Sequence, residues 1–177
     1  STTTIRVFSQ ACRAQGGREL HETRLTLRKA KAADAGDISA CVRRAYERFE
    51  RRLGCSPAPM LQDYRRVIAS ALVWVAVVGD RVLGVLVLSH RSRGMLLENV
   101  AVDPQAQGQG VGKQLLLLAE RLAREAGYQF LDLYTNVLMV ENRVLYGRFG
   151  YREYDTRQED GFTRVYMRKA LTASPQA

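Results

Sequence analysis

The stretch Gln107-Gly108-Gln109-Gly110-Val111-Gly112-Lys113 sets three glycines at alternate positions directly in front of a leucine-rich amphipathic run. Glycine inside a helix costs about 1 kcal/mol relative to alanine, so these residues read as the approach to a helix and its first turn. A helix start exposes N–H groups that have no internal acceptor, and the helix dipole makes that end favourable for anions, phosphates above all. The chemistry expected here is a phosphate cradle.

Spacing separates the known cradles. The pattern G-x-x-x-x-G-K-[ST] ends well on Gly112-Lys113 but needs glycine at 107 and Ser or Thr at 114, where Gln107 and Gln114 stand. The dinucleotide pattern G-x-G-x-x-G fits Gly108 and Gly110 but needs glycine where Lys113 stands, and it belongs early in a βαβ unit; Asp132 does lie near the spacing of a ribose-binding acid. The pattern [QR]-x-x-G-x-[GA], between a strand and a long helix, is met in full by Gln107 to Gly112.

Three further residues have types and positions suited to chemistry. Asn142 and Tyr146 are four apart in "ENRVLYGRFGY" and share a helix face. Tyr146 also reads as a core aromatic beside Leu145 and Phe149, and Asn142 as a helix cap. In "LLENVAV", strand alternation sets Leu96, Glu98, Val100 and Val102 on one face, so Glu98 is an isolated carboxylate in an apolar row. Desolvation would make such a group a general base; a carboxylate at a wet sheet edge or paired with an arginine reads equally well. Asn99 faces the other way, with no evident role.

These residues need elements to position them. "TRLTLRKA" alternates as a strand, and "DAGDISACVRRAYERF" is amphipathic at helical spacing. Pro57 and Pro59 break the pattern before "LQDYRRVIASA" resumes helix. Gly79-Asp80 joins two apolar runs as a tight hairpin, and "GMLLENVAV" is the strand leading through Asp103-Pro104 into the glycine loop. A helix over 110–126 stops at Gly127; "FLDLYT" is a strand, "VENRVLYGRF" a short helix ended by Gly150, and two strands close the chain.

The order β-α-α-β-β-β-α-β-α-β-β, the glycine motif and the segment N-x-x-x-Y-x-x-x-G-[FY] together resemble the GNAT family, the Gcn5-related N-acetyltransferases. The resemblance runs over about residues 23–171. It implies an α/β fold with a central mixed, mostly antiparallel sheet of six to seven strands flanked by about four helices. Residues 1–22 then form an N-terminal appendage, and 172–177 a C-terminal tail.

The resemblance further implies an enzyme that passes the acetyl group of acetyl-CoA to a primary amine by direct attack in a ternary complex. The pyrophosphate site falls on Gln107, Gly108, Gln109, Gly110, Val111, Gly112 and Lys113. The pantetheine arm lies along Val100, Ala101 and Val102, whose N–H groups polarise the thioester. Asn142 bonds that arm, and Tyr146 protonates the departing thiolate. Glu98 is the candidate base. Tyr46, Met60, Tyr64 and "DTRQEDGF" are acceptor-site candidates by placement. A non-catalytic acyl-CoA-binding module of the same fold is the alternative, and a homodimer is a family-level expectation.

Composition bounds the rest. The chain of 177 residues carries a net charge of +9; residues 1–60 hold 12 Lys/Arg against 6 Asp/Glu, away from the phosphate loop. Runs such as "RRAYERFERR" intersperse Glu47 and Glu50 among arginines, as a solvated helix face does, and no nucleic-acid-binding motif appears. No apolar run is long enough for a membrane span or signal peptide, which gives the expectation of a cytoplasmic protein. Cys12, Cys41, Cys55, His21 and His90 have no metal-like spacing, so no metal and no disulfide framework are expected.

Overall fold

The computed structural model describes residues 2–6, 24–92 and 94–171, with backbone alone at residues 3–6. Most of the expected appendage, with Cys12 and His21, and the expected tail over 172–177 lie outside the described residues. The strands are β1 (Thr3–Arg6), β2 (Arg24–Lys29), β3 (Leu72–Val78), β4 (Arg81–Arg91), β5 (Gly94–Val102), β6 (Phe130–Asn136), β7 (Arg152–Glu159) and β8 (Phe162–Ala170). The helices are α1 (Ala35–Leu53), α2 (Ala58–Leu61), α3 (Tyr64–Ser70), α4 (Val111–Glu125) and α5 (Val140–Arg148).

All eight strands form one sheet in the order β1-β2-β3-β4-β5-β6-β8-β7. The pair β5–β6 is parallel and the other described neighbours are antiparallel. The expected mixed, mostly antiparallel α/β architecture is present. The strand count is eight rather than six to seven, because Thr3–Arg6, inside the segment read as an appendage, pairs with β2. A fifth helix, α2, forms where the prolines were read as a break. Pro59 sits in its first turn, where no intrahelical N–H is required.

The two faces carry separate cores. Leu115, Leu116 and Ala119 of α4 pack with Leu86, Leu131 and Leu133 of the sheet on one face. On the other, Ile38 and Val42 of α1 and Tyr64 of α3 pack with Val75, Val85 and Val87. Two-residue turns set the hairpin registers: Gly79 takes φ +56 between β3 and β4, and Asp160-Gly161 takes φ +52 and +78 between β7 and β8. Two positive values are the signature of a turn whose twist matches its strands. No described helix is long and apolar enough to cross a membrane.

Two irregularities prepare the site. Along the β4–β5 ladder, Val87 faces Asn99 and Leu88 faces Leu97, which leaves Glu98 as an extra, bulged residue. A bulge re-aims every side chain beyond it. The expected row of Leu96, Glu98, Val100 and Val102 on one face is therefore broken: Val100 and Val102 pack on the core that holds Met95 and Leu97. Beyond this point β5 also leaves β6, since their pairing covers only Met95–Leu97 against Leu131–Leu133. The sheet opens into a cleft from residue 98 onward.

Helix α4 sits close on the sheet. A Cβ at Gly84 of β4 would lie 2.9 Å from both Val111 Cγ1 and Leu115 Cδ1. Both neighbours are buried and have little room to move. Gly84→Ala is expected to destabilise the fold by about 1–3 kcal/mol through overpacking, read as a lowered urea midpoint with unchanged slope.

Candidate functional site

The glycine loop is built as the sequence requires. Gly108 and Gly110 take φ +76 and +82, and an added Cβ at either would meet nothing within 4 Å, so glycine serves backbone conformation there. Gly110 is the N-cap of α4. Its C=O accepts from Gln114 N–H at 3.1 Å, so the N–H groups of residues 111–113 precede the first helical bond and are left for an anion. Gly112 serves packing instead: its Cβ would be 3.4 Å from Val102 Cγ2, which brings the helix start against β5. Gln107 ties the loop to the same strand through Nε2–H to Val102 C=O at 3.1 Å.

Asp103, read above only as the end of a strand, anchors this arrangement. It is fully buried. Its carboxylate accepts from Gln105 N–H at 3.0 Å and from Arg44 Nε of α1 at 2.8 Å, with Arg81 of β4 at 3.5 Å. Burial alone would push its carboxyl up; the Gln105 N–H and the two guanidinium groups outweigh burial and hold it below the usual carboxylate range. An Asp-Pro pair that caps a 3-10 turn is the local signal that could have found it.

Two cavities meet in the cleft. One is lined by Val100, Ala101 and Val102 of β5, by Gln107, Gly108 and Gly110 of the loop, and by Gly112 and Lys113 of α4. Asn142 and Tyr146 of α5 and Tyr46, Arg48 and Phe49 of α1 also line it. Every residue expected to hold the cofactor is thus gathered on one wall except two: Gln109 bonds back to Gln105 C=O at 2.8 Å, and Val111 is buried in the core. The other cavity holds Glu98, Asn99, Pro59 of α2, Tyr134, Phe162 and Arg164. Tyr46, Val100, Asn142 and Tyr146 line both. Groups bound in the two cavities would meet beside these four residues.

Tyr146 is 7% exposed and packs edge-on against Tyr151, with ring centroids 5.9 Å apart. It is therefore both a core aromatic and a cavity wall. Burial pushes its hydroxyl well above the ordinary tyrosine value. Asn142 lies inside the first turn of α5, not at its cap, and points Nδ2 at Met139 sulfur at 3.6 Å. Arg52 at the end of α1 makes two hydrogen bonds, of 2.6 and 2.8 Å, to Glu141 beside it, and this guanidinium holds the Glu141 carboxyl down at about 2.

Glu98 is not an isolated carboxylate. Its Oε1 accepts from Ser89 Oγ at 2.6 Å and from Arg91 at 3.2 Å. The bulge explains the difference, because it turns Glu98 out of the apolar row while keeping it on the cavity wall.

Asn99, whose role strand alternation left blank, is the centre of a buried network. Tyr64 OH donates to Pro59 C=O at 2.9 Å, Asn99 Nδ2 donates to Tyr64 OH at 3.2 Å, and Tyr46 OH donates to Asn99 Oδ1 at 2.8 Å. A carbonyl can only accept, so the direction of the whole chain is fixed from Pro59. Burial pushes the Tyr46 hydroxyl well above its ordinary value, and that of Tyr64 to about 12. Met60, expected beside these residues, is not among those lining either cavity.

Residues 69–153 match the family model described as acetyltransferase (GNAT) domain. Over 57 residues the chain is 37% identical to the aminoalkylphosphonate N-acetyltransferase of Salmonella typhimurium; the match covers 32% of this chain and 37% of that protein. The PaiA N-acetyltransferase from Thermoplasma acidophilum, solved in complex with coenzyme A, superposes with a TM-score of 0.68 at 17% identity, over 82% of this chain and 98% of that one. A GNAT family acetyltransferase from Elizabethkingia anophelis with acetyl-CoA bound gives 0.61 at 19% identity, over 83% and 98%. These two likenesses establish the fold.

Replacing Asp103 with Asn strips the Arg44 and Arg81 pairs of their charge partner, and a loss of about 1–3 kcal/mol is expected. Because the folded-state pKa is lowered, the unfolded chain binds more protons, so the contribution is present above the ordinary carboxylate range and lost as pH falls below it. Urea melts at pH 7 and pH 3 should show wild type and Asp103→Asn converging at the acid end.

Proposed function

We propose, from the match of residues 69–153 to the acetyltransferase (GNAT) domain model, that this chain transfers the acetyl group of acetyl-CoA to a primary amine. The observation that carries the reading is the meeting of two cavities at Tyr46, Val100, Asn142 and Tyr146, one of them floored by a helix start and a strand edge.

The residues fit such a donor. The free N–H groups at the start of α4 and the αL glycines before it suit a pyrophosphate, with Lys113 adding charge. The edge of β5 from Val100 to Val102, unpaired with β6, offers backbone groups to an extended arm as an added strand would. The same N–H groups can polarise a thioester carbonyl. Asn142 presents an amide to the arm from α5.

Attack of the amine nitrogen on the carbonyl carbon forms the C–N bond, and the C–S bond then breaks. Tyr146 supplies the proton that the thiolate needs; burial keeps its hydroxyl protonated at neutral pH, as a general acid must be. The amine proton passes to Glu98 through water, with Ser89 and Arg91 holding the carboxylate in place. No acyl-cysteine is involved at Cys41, which is buried and whose thiol burial pushes up to about 11.

Thiol release from acetyl-CoA with a panel of primary amines tests the reading. Tyr146→Phe is expected to lower kcat about 100-fold while leaving the acetyl-CoA KM nearly unchanged, and Glu98→Gln to lower kcat with it. Turnover untouched in the double variant would contradict these roles. Absence of thiol release from the whole panel, with acetyl-CoA bound, would favour the non-catalytic acyl-CoA module.

A further inference from the structure

The cavity that holds Glu98 and Arg164 has both of these charges paired within the protein; its identity as the acceptor cavity rests on the acetyl-transfer reading above. Its walls include the rings of Tyr46, Tyr134, Tyr146 and Phe162, with Leu53 and Met139. Of the residues that line it, Glu98 and Arg164 are charged. Each is already matched inside the protein. Arg164 donates to Glu159 at 2.8 Å and to Asp160 at 3.0 Å while its guanidinium lies 5.0 Å from the Tyr134 ring centre. Glu159 is held in turn by Tyr166 OH at 2.7 Å. On the opposite side, Glu98 carries Ser89 and Arg91.

A substrate bearing a carboxylate or phosphonate would need a cation from this wall. The cation there is Arg164, and recruiting it means drawing the guanidinium away from Glu159 and Asp160, so that Glu159 keeps Tyr166 OH but loses its cation. A second ammonium would compete with Arg91 for Glu98 in the same way. An amine on an apolar body disturbs neither pair. Ring faces attract such an amine while it is still an ammonium, and removal of water among them makes its proton easier to lose.

We propose that the acceptor is a primary monoamine on an apolar or aromatic body, without carboxylate, phosphonate or second ammonium, and that the pairing of Arg164 with Glu159 and Asp160 sets this selectivity. The apolar rings hold the body, and the neutralised arginine withholds the charge an anionic amine would require.

Calorimetric titration of the coenzyme A-saturated protein with 2-phenylethylamine, 2-aminoethylphosphonate and spermidine tests this. We expect 2-phenylethylamine to bind at least about tenfold more tightly than either of the others. The double variant Glu159→Gln/Asp160→Asn, which removes both carboxylate partners of Arg164, is expected to tighten 2-aminoethylphosphonate about tenfold and leave 2-phenylethylamine nearly unchanged. Equal or tighter binding of the phosphonate or of spermidine by the wild type, no binding of 2-phenylethylamine, or an unmoved phosphonate affinity in the variant would each overturn the proposal. Thiol release with the same amines separates it from the reading beneath it. Tight binding of 2-phenylethylamine with no thiol release from any of the three amines contradicts acetyl transfer and not the charge selectivity of the cavity. Release with 2-aminoethylphosphonate alone contradicts the acceptor class and not acetyl transfer.

Discussion

The parting of β5 from β6 after Leu97 and Leu133 is the constraint on which the rest of the site depends. Two parallel neighbours in mid-sheet would ordinarily satisfy each other's backbone groups to their ends. Here the bulge at Glu98 adds twist to β5 and ends the pairing early, while β6 stays paired to β8 through Asn136. The backbone of residues 99–102 is left facing a cleft. An open strand edge inside a fold is costly unless something fills it, and an extended ligand arm is a natural occupant.

Holding the cleft open takes stiff walls. On the α1 face, the chain of hydrogen bonds from Tyr46 through Asn99 and Tyr64 to Pro59 ties α1, β5, α3 and α2 into one unit. At the end of β5, buried Asp103 ties α1 and β4 to the loop that starts α4. Gln107 and Gly112 then set the free N–H groups of α4 beside the open strand edge. The proposed phosphate and thioester sites would thus be placed by the same strand, with the distance between them fixed by backbone rather than by side-chain rotamers.

What the sequence made legible was local. The glycine loop announces itself because positive φ and a helix start are requirements of a few consecutive residues, and the same holds for the Gly79-Asp80 hairpin and for Asn142 and Tyr146 on one helix face. What it concealed was set by pairing between distant segments. The bulge depends on how β5 registers with β4, so strict alternation misplaced Glu98, Val100 and Val102. Asn99 has meaning only once Tyr46 and Tyr64 arrive from two helices. The eighth strand was hidden because Thr3–Arg6 is short and is completed by its partner β2.

If the site works as built, one ligand must engage the start of α4 and the open edge of β5 together. Calorimetric titration with acetyl-CoA, beside ATP and NAD as phosphate-bearing controls, tests this most directly. Saturable binding of acetyl-CoA is expected, abolished by Gly110→Asp, with ATP and NAD bound weakly or not at all because neither has an arm to lie along residues 100–102. Equal binding of all three, or acetyl-CoA binding that survives Gly110→Asp, would contradict it.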